Sequence, residues 1–449
     1  MTVYNARQSE AVAELDAGWA EPRQRLNVTT IEDDAAFEAM RDEWDHLLSV
    51  TENGSVFQSW EWAFSWWQAF GSGKQLSIIA VRDDQSNLVA LWPLYRRPAS
   101  YLGLRLRELR LLGTGQEVSP DYMGCLASPG RAEAAVPALL DWLEANRREW
   151  DLLRLNEVRA GLGWVEQLVG DSHARRWPAR VVPRARCFYV ELPDSWDRYC
   201  KLLASKVRRT YRRRLRNMEM FSPRYFRWED GGRLSEALNK LGELHRLRLA
   251  DVGEQCGFST PGYVRFHELL APRLLERGWL GLHCLSVNDE IISMLYTFEY
   301  GGAVYVYQGG LDPTWSDYSV GTVLRCRVVQ DAIARGMREL DFLKGEHSYK
   351  IECTNGVRRT INLTVNNSTV GGWAELLLRS GREWSKRAAR RVLLGRALAS
   401  ARKARAALRS ALGRKLGHFL LIRGTTPDRA AASGSDRAAP QRASVGERG

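Results

Sequence analysis

Long apolar runs are the first thing this 449-residue chain lacks. No stretch approaches the roughly 18 apolar residues that cross a bilayer, so an integral membrane reading is excluded. The opening MTVYNARQSEAVAELD has no apolar core and carries acids early, which argues against a signal peptide. Cysteine is sparse: seven, at 125, 187, 200, 256, 284, 326 and 353, with no CxxC pair and no clustering with histidine. An odd, dispersed set fits neither a disulfide framework nor a zinc site, so no metal and a reducing, cytoplasmic setting are expected. A Ser-His-Asp or Cys-His arrangement is also missing, which leaves direct attack as the simpler chemistry for any group transfer.

Excess charge is missing from most of the chain as well. The total is +12, yet from Trp373 onward there are 18 Lys and Arg against 5 acids, leaving 47 basic and 48 acidic residues before it. The body is neutral, and a DNA-binding reading of the whole protein loses its support.

What is present is globular: 45% hydrophobic and 26% charged, long enough for two domains. A polar leader occupies 1–27. In the first half LSIIAVR (76–82) and LVALWPLY (88–95) flank the turn DDQSN. LRELRLLG (106–113), a helix near 131–148 and the strand WDLLRLNEV (150–158) follow. The second half repeats this order. LGLHCLSV (280–287), IISMLYTFEY (291–300) and AVYVYQGG (303–310) precede a helix from about 320 to 335 and the strand RELDFLKG (338–345). The expected fold is mixed α+β, with a sheet and flanking helices in each of two domains, 28–185 and 186–372, joined through the Pro/Arg-rich stretch 171–187. Ser195 to Asn217 and 234–250 are read as helices. The stretch 373–423, with leucines at 408, 412, 416 and 420 and basic residues on other faces, reads as a basic amphipathic helix suited to an anionic membrane surface or an acidic partner, the competing reading being a solvated helix packed loosely on the body. From 424 the sequence is of low complexity, read as disordered.

Chemistry concentrates in YQGGLDPTWSDYSVGTVLRCRVVQDAIARGMRELDFLKGEHSYK (307–350). A strand ends at Gly309-Gly310 and a helix begins near Ser319, read as its N-cap, with Gly321 in the first turn leaving room for close approach. Such a helix start suits a phosphate or carboxylate. Asp341, Lys344, Glu346, His347, Tyr349 and Lys350 then crowd the mouth of the following strand. The run SKVRRTYRRRLRNM (205–218) holds seven Lys and Arg between Lys206 and Arg216. Arg208, Arg209, Arg212, Arg213 and Arg216 are candidates to grip an anion, because the guanidinium fork binds two oxygens at once. The competing reading is a solvated basic face.

These motifs, with FYVELPDSW (188–196), ELHRLRL (243–249), SVFQSWEWAFSWW (55–67) and LRLLGTGQEVSPDYMGCL (109–126), resemble the GNAT-fold acyltransferases related to the cellulose-biosynthesis acetyltransferases, over roughly residues 30–365. The resemblance implies tandem GNAT-like domains, shared with the peptidoglycan aminoacyltransferases that draw on charged tRNA. It implies acetyl-CoA or another acyl-CoA as co-substrate, held at Ser319, Gly321 and Thr322. DYSVGT departs from the usual phosphate loop, having only Gly321 as a clear small residue. Glu346 or His245 is the expected base, Tyr349 or Tyr307 the acid, and Lys350 and Asp341 orient substrate. Asp121 and Tyr122 in SPDYM are expected to reach substrate across the cleft. The implied acceptor is an anionic small molecule or lipid-linked sugar at the inner face of the plasma membrane. Charged tRNA as donor, and a non-catalytic scaffold binding membrane or RNA, are the alternatives.

Overall fold

The computed structural model describes residues 26–101, 103–115, 118–250, 257–382 and 384–385; the expected leader up to residue 25 and the expected tail segments beyond 385 lie outside them. Residues up to Leu376 form one compact unit, and Leu377 onward a second, helical where described.

The first half contains β1 (Asn27–Ile31), α1 (Asp34–Ala39), α2 (Arg41–Val50), α3 (Trp60–Phe70), β2 (Gln75–Arg82) and β3 (Leu88–Tyr101). It continues through β4 (Leu104–Leu111), β5 (Leu126–Ala127), α4 (Ala132–Ala145), β6 (Leu152–Arg159) and α5 (Gly163–Ala174). β7 (Ala179–Glu191) closes the first half, and the second opens with α6 (Trp196–Leu202), α7 (Ser205–Met218), β8 (Arg224–Arg227), α8 (Leu234–Ala250) and α9 (Pro261–Glu276). It ends with β9 (Leu280–Val287), β10 (Glu290–Tyr300), β11 (Ala303–Leu311), α10 (Val320–Ala334), β12 (Glu339–Lys344), α11 (Ser348–Glu352) and β13 (Gly356–Asn366).

One sheet runs through both halves in the order β1-β2-β3-β4-β6-β13-β7-β12-β11-β10-β9-β8, with β5 beside β3. The order reads as two similar sets meeting in the middle, where each half lends a strand to the other. β7, which closes the first half, pairs with β12 (Leu340 opposite Val190), while β13 pairs with β6 (Thr364 opposite Arg154). The expected boundary at 185/186 therefore falls inside β7, and the stretch 171–187 is helix end and strand rather than an open linker. The helix expected over 195–217 is broken at Leu203–Ala204, where Leu203 is in extended backbone, giving α6 and α7.

Each half has one parallel pair, and each pair is brief. β4 and β6 match only from Glu108–Leu152 to Arg110–Arg154. β11 and β12 match only from Ala303–Glu339 to Tyr305–Asp341. Beyond those points the strands diverge and leave a V. The first V is occupied by the chain's own segment: Met123 bridges Val158, and its N–H donates to the Glu157 carbonyl. The second V stays open. Where β10 meets β11 the register passes from Gln308 to Val306 in one step, so Tyr307 is an extra residue in a bulge at the edge of this opening.

The tryptophan-rich α3 ties the halves together. Ser59 caps it by accepting from Trp62 N–H (3.1 Å), and Trp60, Trp62 and Trp66 are buried. Trp62 packs edge-on to Phe266 and Tyr307 at 4.9 and 5.9 Å, so helix, sheet and cleft wall share one aromatic core.

Candidate functional site

The open V holds a cleft of about 450 Å³. One wall is β11 from Val306 to Leu311, and the other is the end of β12 with Tyr349 and Lys350 behind it. Gly321 and Arg325 of α10 and Arg248 of α8 line it, and Ser119 and Asp121 reach in from the first half. The plug that fills the first V thus delivers an acid to the second.

Asp121 is fully buried, and burial above all pushes its carboxyl up to about 7, with the Glu157 and Asp341 charges adding to the rise and Lys344 opposing it. Its Oδ2 accepts from the Lys344 backbone N–H (3.1 Å). Its Oδ1 has no hydrogen bond, with Lys344 Nζ 3.4 Å away. That ammonium is shared: it lies 3.3 Å from Glu157 Oε1 and donates to the Pro120 carbonyl at 2.9 Å. Three non-glycine residues around this cluster have left-handed backbone: Tyr122 (φ 59°), Glu157 (φ 57°) and Leu343 (φ 58°). Each such residue costs on the order of 1–3 kcal/mol, and strain of this kind concentrates where function requires a fixed geometry.

Asp341 and Lys350 hold this geometry from outside. Asp341 is fully buried, its carboxyl raised to about 6 by burial, and accepts from Tyr122 Oη (2.6 Å) and Leu343 N–H (2.7 Å), with Arg358 at 3.3 Å. Lys350 Nζ donates to the carbonyls of Phe342 (2.7 Å) and Lys344 (2.6 Å), and burial lowers its pKa. Both were expected to orient substrate; Lys350 lines the cleft with its ammonium held by backbone carbonyls, and Asp341 is engaged by Tyr122, Leu343 and Arg358.

The two expected bases stand apart from the cleft lining. Gly345 (φ 117°) turns the chain so that Glu346, its side chain 61% exposed, lies 3.8 Å from Arg186. His245 is buried beside Phe258 with its pKa pushed down to about 4 by burial, and its hydrogen-bond partner is Gln308. The two tyrosines do line the cleft. Tyr307 Oη accepts from Ser119 N–H (3.4 Å), and burial raises its pKa, as it does that of Tyr349, whose ring lies 4.2 Å beneath the Arg325 guanidinium.

At the start of α10, Ser319 occupies the cap position in left-handed backbone (φ 54°) without a side-chain cap bond. Gly321 faces the cleft, where a Cβ would lie 3.1 Å from Leu311 Cδ2. The Thr322 hydroxyl is turned away, accepting from Arg214 Nη1 (3.0 Å) and Arg325 Nη2 (2.9 Å). Among the described residues neither guanidinium meets a carboxylate, and Arg325 Nε is buried without a partner. Two cations beside a helix N-terminus thus remain uncompensated. The Thr322 and Val323 N–H groups donate to the Ser319 carbonyl (2.8 and 3.2 Å), so those of Val320 and Gly321 are the ones without an acceptor in the helix. These groups fit a pyrophosphate or another phosphodiester.

Arg214 is not among the arginines that the basic run singles out. Arg209, Arg212, Arg213 and Arg216 are exposed and Arg208 is half-buried, none of them lining the cleft. The helix phase carried the missing signal. Tyr211, Leu215 and Met218 mark the inward side of α7, and Arg214 shares it. Glu157 was also missed, hidden within a strand reading. Asp121 and Tyr122, both expected at the cleft, have separate places. Asp121 faces the cleft, and Tyr122 braces Asp341.

Residues 205–351 match the family described as Acetyltransferase (GNAT) domain. No curated protein matches the chain in sequence. Among solved structures, the chain is similar to FemX, with 13% identity over 78% of this chain and 99% of that one and a TM-score of 0.56. It is also similar to the C-terminal domain of a putative lysylphosphatidylglycerol synthetase from Agrobacterium fabrum (10% identity, 76% and 96% covered, TM-score 0.46). A tandem GNAT protein from the clavulanic acid biosynthesis pathway is a further match (10%, 76% and 99%, TM-score 0.43). Residues 205–351 are thus similar to an acetyltransferase (GNAT) domain, and the chain as a whole shares its fold with FemX.

Proposed function

We propose that the chain transfers an acyl group by direct attack, from an activated donor in the open V to an amine or hydroxyl of a cell-envelope or exopolysaccharide precursor. The observation that carries this reading is Asp121: a buried carboxylate with a pKa near 7 and an unpartnered oxygen on the wall of a cleft whose far end suits phosphate.

The acyl-CoA pyrophosphate would rest on the start of α10 at Gly321, between Arg325 and Arg214. The acyl arm then runs between β11 and β12 toward Asp121. Asp121 takes the proton from the acceptor nitrogen or oxygen as that atom bonds to the acyl carbon. The Lys344 ammonium beside it stabilises the charge developing on the carbonyl oxygen. The bond from the acyl carbon to the thiolate breaks, and Tyr349, kept protonated by burial, is the proton donor on that side. Remote binding to the phosphate holds the reactants in line, which is worth several kcal/mol of barrier.

A second reading, charged tRNA as donor, is favoured by one feature: a guanidinium pair stands where a glycine-rich loop would cradle a pyrophosphate. Thiol release from acetyl-CoA across a panel of amine and hydroxyl acceptors tests the first reading. Release that Asp121→Asn abolishes supports it. Absence of release, with aminoacyl transfer from charged tRNA, moves the donor to the second.

A further inference from the structure

The basic helix has an outward face that the cleft does not use. Arg209, Arg213 and Arg216 recur at spacings of four and three with Arg212 beside them, all exposed, and among the described residues none meets a carboxylate. Elsewhere on the body some exposed arginines are paired with acids, as Arg107 is with Asp151 (2.9 Å), Arg224 with Asp289 (3.2 Å) and Arg233 with Glu236 (2.6 Å), while others, such as Arg105 and Arg246, stand singly. Four guanidiniums gathered on one helix face concentrate positive charge at one place on a neutral body.

The row continues past the helix. Met220, four residues beyond Arg216 in a helical turn over Glu219–Phe221, is 73% exposed. Glu219 between them is neutralised by Arg327 at 2.6 Å. Phe221 packs against Trp315 (5.1 Å) and Tyr318 (4.7 Å), half-buried aromatics of the turn that leads into Ser319 and Gly321. Guanidiniums, an apolar tip and interfacial aromatics thus follow one another toward the cleft.

We propose that this face docks on an anionic lipid bilayer. Guanidiniums meet headgroup phosphates, Met220 enters the acyl boundary, and Trp315 and Tyr318 suit the interface between them. The thioether decides against RNA: an exposed apolar tip gains nothing beside a ribose-phosphate chain and gains area-proportional free energy in lipid. Docked this way, the α10 end of the cleft faces the headgroups. The inference does not depend on which donor the cleft holds.

The test uses the full chain and vesicles of phosphatidylcholine with or without phosphatidylglycerol. An environment-sensitive fluorophore at Met220→Cys, with the unmodified chain labelled as control, reports this face apart from the basic residues beyond 385. A blue shift is expected with phosphatidylglycerol vesicles and none without. Arg209→Gln/Arg213→Gln/Arg216→Gln should lower partitioning by about fivefold per arginine, or about a hundredfold in all, with unchanged melting. Met220→Ser should weaken binding at constant charge. A fluorophore that vesicles leave unmoved overturns the proposal. So does a triple variant that keeps its vesicle affinity while losing affinity for tRNA, which gives the face to RNA.

Discussion

Lys344 Nζ lies 3.4 Å from Asp121 Oδ1, and the Lys344 backbone N–H donates to Asp121 Oδ2 at 3.1 Å, although the two residues are 223 apart in the chain. The contact joins the plug of the first V to the open wall of the second. Removing the acid should therefore stop catalysis without undoing the fold. Asp121→Asn is expected to lower kcat/KM by about 10²–10⁴-fold, the usual range for a lost general base. Retained near-wild-type melting with this loss supports the role; retained activity refutes it.

The same acid sets a pH dependence. With its carboxyl held near 7, Asp121 is active as a base only once deprotonated, so kcat/KM should rise as pH passes through about 7. Stability runs the other way. Asp121 and Asp341 both have raised folded-state values, so the folded chain keeps protons that the unfolded chain loses from about pH 4 upward. Their contribution is full below the unfolded value and is lost as pH climbs to about 6–7. Across that window Asp121→Asn should lose less stability than the wild type, because Asp341 alone then titrates. Denaturant melts with equal slopes against pH would contradict this.

Glu157 competes with Asp121 for the Lys344 ammonium, at 3.3 against 3.4 Å. Glu157→Gln removes the rival charge and leaves the ammonium to Asp121, so the rising limb of the pH–rate profile should move to lower pH. A merely structural role for Glu157 would lower the rate at every pH and leave the limb in place.

Tyr122→Phe removes the 2.6 Å donor to Asp341 and leaves a buried carboxylate short of a partner. We expect a loss of about 1–3 kcal/mol in unfolding free energy, measured by denaturant melts. An unchanged midpoint would show that Arg358 and Leu343 satisfy Asp341 unaided.

Much of the fold was legible because period and turn chemistry are local. The hairpins at 76–95 and 280–300, the helix starting beside Gly321 and the strand ending at Lys344 lie where alternation and turn residues put them. The exchange of β7 and β13 was not legible, since pairing between distant strands leaves no periodic trace. Within the site, the crowding of polar residues after β12 marks a wall of the cleft without showing which charge faces it. Glu346 and Lys344 look alike as charges in a row; only the turn at Gly345 decides that one faces Arg186 and the other Asp121. Asp341 shows the same limit: period leaves its donors hidden, for Leu343 lies two residues on, while Tyr122 and Arg358 come from other strands and loops of the chain.

An acyl-CoA held in this cleft is tested most directly by calorimetric titration of acetyl-CoA into the full chain beside its Gly321→Glu variant. A side chain at 321 enters the cleft against Leu311, and the added carboxylate repels phosphate at the start of α10. Saturable binding is expected, lost in the variant while its melting is kept. Binding that survives Gly321→Glu, or none in the unmodified chain, would contradict an acyl-CoA held in this cleft.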